Sequence, residues 1–351
     1  MPEMMRAQRL DTTTKQVTVE QIPVPEPGPE EVLIKVAYCG ICHSDLSLIN
    51  GTFPPRQPKI TQGHEASGII DGIGSNVTGW KIGDRVIPAA GKVDSTCPEC
   101  LRGNLNNCLN LKIMASDYDG GWAEYTVAQA RMLTRIPDNV PMEQAALLAD
   151  AVATPFGAVV NTGEVRVGEA IAIWGLGGIG THLIQIARLV GASPVIALDV
   201  SEETRARAIS FGADVVLDSA DPQVVETIRG LTGGRGVDVA FDAVGIQATF
   251  EQAEHSLAPG GRLVVVGMSN ANISIGSSRS FDRSRIKIMG HLGYRNEDIG
   301  TLAGLLSRGR LDLSRSISEI IPLEKIKDGI HRLESREGNP IRILVQPGTS
   351  Y

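Results

Sequence analysis

The sequence predicts an α/β protein in which a parallel, doubly wound sheet is joined to a β-rich lobe. Three observations carry this reading. After Thr154-Pro155 short apolar runs alternate with amphipathic helical stretches, the order from which a parallel sheet is wound. Within that alternation the apolar run Ile171-Ala172-Ile173-Trp174 stops abruptly at Gly175-Leu176-Gly177-Gly178-Ile179-Gly180. Residues 16 to 88, by contrast, read as short strands broken by proline and glycine turns. At 351 residues the chain is long for one core, so two domains are expected.

In the lobe, Gln16-Val17-Thr18-Val19 alternates polar with apolar, Ile22 to Pro29 is a proline-rich turn, and Val32 to Val36 is a second strand. Gly63 to Gly74 and Gly83 to Pro88 continue the pattern, with glycines spaced as for bulges and hairpins. Glu143 to Ala151 is helical in composition. Strands are then expected near 171–174, 195–199, 214–217, 237–241 and 262–267, with helices between them. Beyond Gly290 the pattern gives a helix at 296–308, a β-like stretch at 317–321, a helix at 323–334 and a last strand at 341–345.

The glycine turn sits between a strand and a helix, because Leu183, Ile184, Ile186, Ala187, Leu189 and Val190 follow at helical spacing and Gly191 stands where a C-cap belongs. Glycines there let the backbone turn tightly and approach a pyrophosphate, whose charge would rest on helix N-terminal amides. The next strand ends at Asp199, nineteen residues after Gly180, placed to accept hydrogen bonds from an adenosine ribose. A lone glycine motif is weak evidence; strand, helix and terminal acid together point to dinucleotide binding.

Composition narrows the partners. The formal charge is −7, with no cluster of basic residues, so nucleic acid and anionic membranes are not expected to bind. No apolar run reaches the roughly 18 residues of a membrane helix, and Met1 to Leu10 lacks the apolar core of a secretory signal, so the cytoplasm is the expected location. Apolar content of 42% with 21% charged residues is that of a folded enzyme and excludes wholesale disorder. The five cysteines suggest metal ligation in a reducing compartment rather than disulfides.

Gly40-Ile41-Cys42-His43-Ser44-Asp45 and Gly63-His64-Glu65 are the stretches of the lobe that can do chemistry. A catalytic zinc takes three protein ligands and keeps a fourth position open. Cys42 and His64 supply two, although a buried cysteine and a satisfied histidine are common without metal.

With the glycine turn downstream, the chain resembles the zinc-dependent medium-chain dehydrogenase/reductase family, the alcohol dehydrogenases, almost end to end. Gly63-His64-Glu65-x-x-Gly68, Gly83-Asp84-Arg85-Val86 and Gly175 to Gly180 carry the likeness. It implies a GroES-like catalytic domain over 1–154 and 293–351 and a Rossmann domain over 155–292. It also implies that Cys42 and His64 ligate a catalytic zinc, with Glu65 the carboxylate that approaches the metal and Ser44 the hydroxyl touching substrate oxygen. The family's third ligand is usually a cysteine; here Leu148-Ala149-Asp150-Ala151 puts Asp150 in that role, as in a branch containing secondary-alcohol dehydrogenases and carbonyl reductases. A helix-end acid is the plainer alternative. The outer relay histidine of many relatives is Ser47 here. His43 and Arg342 match cofactor pyrophosphate contacts, and Phe53, Ala89, Trp122 and Met268 match positions around substrate, though each fits ordinary packing as well. The family's structural-zinc loop would be Cys-x2-Cys-x2-Cys-x7-Cys; Cys97, Cys100 and Cys108 fit its last three positions and Asp94 falls where the first cysteine should be.

The expected activity is hydride transfer between a primary or secondary alcohol and NAD, by a homodimer or homotetramer acting on a small molecule. Two rivals stand beside it. A metal-free quinone or enoyl reductase of the same superfamily would have lost Cys42, His64 and Asp150, and a non-catalytic nucleotide-binding scaffold would have eroded the metal set or Ser44.

Overall fold

The computed structural model describes residues 3–348; residues 1–2 of the N-terminal stretch and 349–351 of the last segment lie outside the described residues. One compact unit runs to Ala153 and resumes at Arg295, and the other is Thr154–Tyr294.

The first unit is built on the long strand Glu31–Ile41, whose inward positions Val32, Ile34, Val36, Cys39 and Ile41 are all buried. Antiparallel neighbours Ala66–Ile73 and Tyr125–Gln129 flank it, and so does the C-terminal strand Arg342–Gln346. The register Ile343↔Ile41 matters most for function, because it sets Arg342 beside the end of the strand that delivers Cys42. A core of Leu10, Val36, Ile41, Ile60, Trp122, Leu323, Ile326 and Ile343 fills the interior.

Among the departures from the expected pattern are two strands and one helix end. Met4–Asp11 is a strand although it carries two arginines; Arg6 pairs with Glu124 and Arg9 with Asp119, while Met5, Ala7 and Leu10 turn inward. Lys287–Gly290 is a sixth strand of the second unit, a short edge strand whose lysine and half-exposed positions hide it from periodicity. The helix expected over 143–151 is Met142–Leu147, and the chain then turns, with Val152 N bonding Leu147 O ahead of Pro155.

The second unit holds a six-stranded sheet whose pairings are all parallel. Its order is Val215–Asp218, Val195–Asp199, Ile171–Trp174, Val237–Asp242, Leu257–Val265, Lys287–Gly290. The direction of winding reverses between Ile171–Trp174 and Val237–Asp242. In open sheets of this kind the crevice outside the carboxyl ends of those two strands is where ligands bind. Among the described residues no helix is long and apolar enough to cross a membrane.

Candidate metal centres and nucleotide turn

Cys42 follows the long strand Glu31–Ile41 directly and caps the helix His43–Asn50, with an extended backbone. Asp45, three residues on, closes a capping box by accepting from Cys42 N at 2.9 Å. The helix start therefore fixes the Cys42 backbone. His64 follows Gly63, which has φ +89°, and an added Cβ there would lie 2.4 Å from the Trp122 ring. Only glycine fits between the indole and the backbone turn that presents His64.

These segments meet at one point. Single donor atoms of Cys42, His64, Glu65 and Asp150 all lie within 4.8 Å of one another. Cys42 Sγ is 3.7 Å from Asp150 Oδ2, and His64 Nε2 is 3.5 Å from the same oxygen. Tetrahedral zinc with ordinary bond lengths would separate sulfur from oxygen by about 3.6 Å and nitrogen from oxygen by about 3.4 Å. Asp150 is thus spaced from both Cys42 and His64 as one zinc ligand is from another. Ser44 Oγ lies 3.3 Å from His64 Nε2, at the mouth of this donor set.

Around them sits a charged shell. Asp45 is fully buried and its Oδ1 is 3.3 Å from His64 Nδ1, so a carboxylate orients the ring from behind. The only mark of this role in the sequence is the place of Asp45 three residues after a helix-capping cysteine. Without metal, burial works to lower the His64 pKa, but the charge of Asp45 and hydrogen bonding of the ring to Asp150 and Cys42 overcome it and raise it well above 6.5. Burial pushes the Glu65 carboxyl up, against the pull of Arg342. Arg342 is itself enclosed, 2% exposed, donating to Ile41 O at 2.9 Å and lying 3.4 Å from Glu65. Its immediate partners are therefore the Glu65 carboxylate and the Ile41 carbonyl.

The other expected pocket residues scatter. Trp122 is wholly buried, donates to Gly40 O at 3.0 Å and packs in the core of the first unit. Ala89 is also buried, Phe53 is half-buried, and His43 is exposed. Ser47 Oγ bonds back to the His43 carbonyl at 3.4 Å. Met268, in the second unit, is 53% exposed.

A second cluster lies in the loop 94–108. Donor atoms of Asp94, Cys97, Cys100 and Cys108 again fall within 4.8 Å, and Cys97 Sγ is 4.0 Å from Cys108 Sγ. Two thiolates on one tetrahedral zinc would stand about 3.8 Å apart. Asp94 is held inward: Oδ1 accepts from Cys97 N at 3.0 Å and Thr96 N at 2.9 Å, and Oδ2 from Asn110 at 2.6 Å. Those bonds hold its carboxyl far below the usual range, with Cys97 N the strongest contributor.

In the second unit the glycine turn shows a separate need at each motif position. Gly175 has φ +84°; at Gly180 a Cβ would come 1.8 Å from Gly175 O; beside Gly177 nothing lies within 4 Å. A tight turn, close helix packing and an open approach for a pyrophosphate are the three requirements such a turn must meet. Gly178, Ile179 and Gly180 open the helix Gly178–Leu189, and Gly191 follows its cap Val190 with φ +89°. Asp199 Oδ2 accepts from Leu176 N at 2.8 Å and Oδ1 from Ser201 N at 2.9 Å, so the strand-end acid also braces the turn.

Known proteins agree with this architecture. Residues 28–138 match the alcohol dehydrogenase GroES-like domain and residues 178–308 the zinc-binding dehydrogenase domain. An alcohol dehydrogenase of Geobacillus stearothermophilus is 34% identical over 94% of this chain and 96% of its own length. A sorbitol dehydrogenase of Bacillus subtilis is 29% identical over 99% of this chain and 98% of its own. The solved alcohol dehydrogenase of Thermus sp. ATN1 superposes with a TM-score of 0.91 at 28% identity, covering 97% of this chain and 99% of that one. With a GroES-like unit, a Rossmann unit and relatives spanning nearly its whole length, the chain belongs to the zinc-dependent medium-chain dehydrogenase/reductase family as an oxidoreductase of the alcohol dehydrogenase type.

Proposed function

We propose that Cys42, His64 and Asp150 hold a catalytic zinc and that the protein transfers hydride between a primary or secondary alcohol and NAD. The observation that carries this is the donor spacing of 3.7 Å and 3.5 Å, which matches tetrahedral ligation before any metal is considered. Cys42, His64 and Asp150 would hold the zinc, which would supply the Lewis acidity that lowers the pKa of an alcohol hydroxyl, and a nicotinamide bound at the glycine turn would serve as hydride acceptor. The chain's residues do the rest. Asp45 keeps the His64 proton on Nδ1 and leaves Nε2 to ligate. Ser44 Oγ is the first acceptor for the alcohol proton. Glu65, whose oxygens have no hydrogen-bond partner, stays charged-balanced by Arg342 beside the ligands.

NAD is favoured over NADP because Asp199 would face a dianionic 2′-phosphate. The loop cluster Asp94, Cys97, Cys100 and Cys108 holds a structural zinc more labile than a four-cysteine site, since oxygen is the harder donor for this metal. A homodimer or homotetramer in the cytoplasm follows by analogy with the family. The metal-free rival reading has no use for a preformed Cys-His-Asp set. Cys42→Ala should abolish alcohol oxidation while leaving NAD binding intact; turnover near the parent rate would overturn the mechanism.

A further inference from the structure

Two glutamines with no assigned role are completely buried next to the candidate metal centre. Gln62 immediately precedes Gly63-His64, and Gln8 lies on the strand Met4–Asp11. Their amides form a directed chain. Gln8 Oε1 accepts from Gln62 N at 2.8 Å, Gln8 Nε2 donates to Gln62 Oε1 at 3.2 Å, and Gln62 Nε2 donates to the Asp45 carbonyl at 3.0 Å. The other edge of the segment is tied by its backbone, with Gly120 N on Thr61 O, Trp122 N on Gln62 O and Gly121 N on Gly63 O.

A buried amide costs free energy unless it is bonded, so core positions are ordinarily apolar. Here the bonds span three elements and end on Asp45, whose carboxylate reaches both Cys42 N and His64 Nδ1. The chain therefore sets the separation between the helix that carries Cys42 and the turn that carries His64. Metal ligation tolerates only a few tenths of an ångström in that separation.

We infer that Gln62, braced by Gln8, is a positioning residue for His64 in the catalytic metal site; this rests on the reading of Cys42, His64 and Asp150 as its ligands. A purely structural role predicts something different. Replacing both amides by apolar groups of similar length leaves neither end of the Gln8 Nε2–Gln62 Oε1 pair unpaired, and so can recover part of the stability a single change costs, although Gln62 N and the Asp45 carbonyl still lose their side-chain partners. It cannot restore the geometry.

The test compares the parent with Gln62→Met, Gln8→Met, the double variant and Cys42→Ser. Each is loaded with cobalt(II) for its visible spectrum and with zinc for release to a chelator. Gln62→Met and the double variant should release the Cys42-dependent metal at least tenfold faster and shift its cobalt bands. Gln8→Met should do so more weakly, and the loop metal should be retained as in the parent. A double variant with parental melting temperature, cobalt spectrum and release rate overturns the inference. Should Gln62→Met not fold, Gln8→Met alone decides by the same two readouts. If Cys42→Ser keeps the parental bands, the ligand reading itself fails; if it loses them while the glutamine variants do not, only the positioning role falls.

Discussion

Asp45→Asn isolates what the buried carboxylate does for the metal site. The substitution preserves shape and removes one acceptor and the charge. Asp45 currently serves both ends: Oδ2 accepts from Cys42 N at 2.9 Å, and Oδ1 faces His64 Nδ1 as an ion pair at 3.3 Å. An asparagine has one oxygen and one NH2. Whichever way it is flipped, a donor faces a donor, either the His64 ring N–H or the helix-capping amide. Losing one hydrogen bond to a charged group costs roughly 1.5–3 kcal/mol. Partners of metal-ligating histidines are worth about 10- to 100-fold in metal affinity, which is about 1.4–2.7 kcal/mol at 1.36 kcal/mol per tenfold. The two routes give the same range. Competition with a chromophoric chelator should show the catalytic zinc Kd rising by that factor, with kcat lowered and NAD affinity unchanged.

The metal-free protein gives a second readout with a defined sign. His64 has a raised pKa, so its protonation stabilises the fold fully below the unfolded value of about 6.5, and this is lost as pH rises through the folded pKa. Asp45→Asn should flatten that acid-side gain in melting temperature. An unchanged zinc Kd together with an unchanged pH profile would refute the orienting role.

Three further outcomes follow from the geometry. Gly180→Ala must force its methyl against Gly175 O, 1.8 Å away, so the turn opens and NAD binding should weaken more than tenfold by fluorescence titration; parental affinity would show that the turn does not hold the cofactor. Asp199→Gly should narrow or reverse the ratio of kcat/KM for NAD over NADP, and equal values for the two cofactors in the parent would count decisively against the preference. Elemental analysis should find close to two zincs per chain, and Asp94→Ala should lose one of them and lower the melting temperature while alcohol oxidation persists; one zinc per chain in chelator-free parent would remove the structural site alone.

What was legible in the sequence depended on the range of the physics involved. The glycine turn could be read because each glycine answers a local backbone demand, and helix and strand on either side confirm it within thirty residues. The sheet strands could be read because burial on both faces leaves continuous apolar runs. Lys287–Gly290 escaped because an edge strand lacks that burial, and Met4–Asp11 because its arginines find acids more than a hundred residues away. Whether a large ring such as Trp122 lines a cavity or fills a core depends on which backbone it packs against, here Gly63 and Gly40.

The metal set shows the limit most clearly. Twenty-one residues separate Cys42 from His64, and Asp150 lies 108 positions beyond Cys42, so spacing alone cannot join them and only the family likeness did. Their supports were less accessible still. Gln8, Gln62 and Asp45 are ordinary surface residue types whose meaning comes from complete burial and from the directions of their hydrogen bonds. Arg342 makes the same point from the far end of the chain. A strand-end arginine is usually solvated, but the register Ile343↔Ile41 carries this one inward, where its guanidinium lies against Glu65. A buried guanidinium without a counter-charge would be prohibitive, and so would a buried Glu65 beside Asp150. Burial works to lower the Arg342 pKa and is outweighed by the negative groups around it, Glu65 foremost, so the arginine stays charged. The last strand is therefore part of the electrostatics around Cys42, the first of the proposed metal ligands, a dependence that exists only once the two strands are paired.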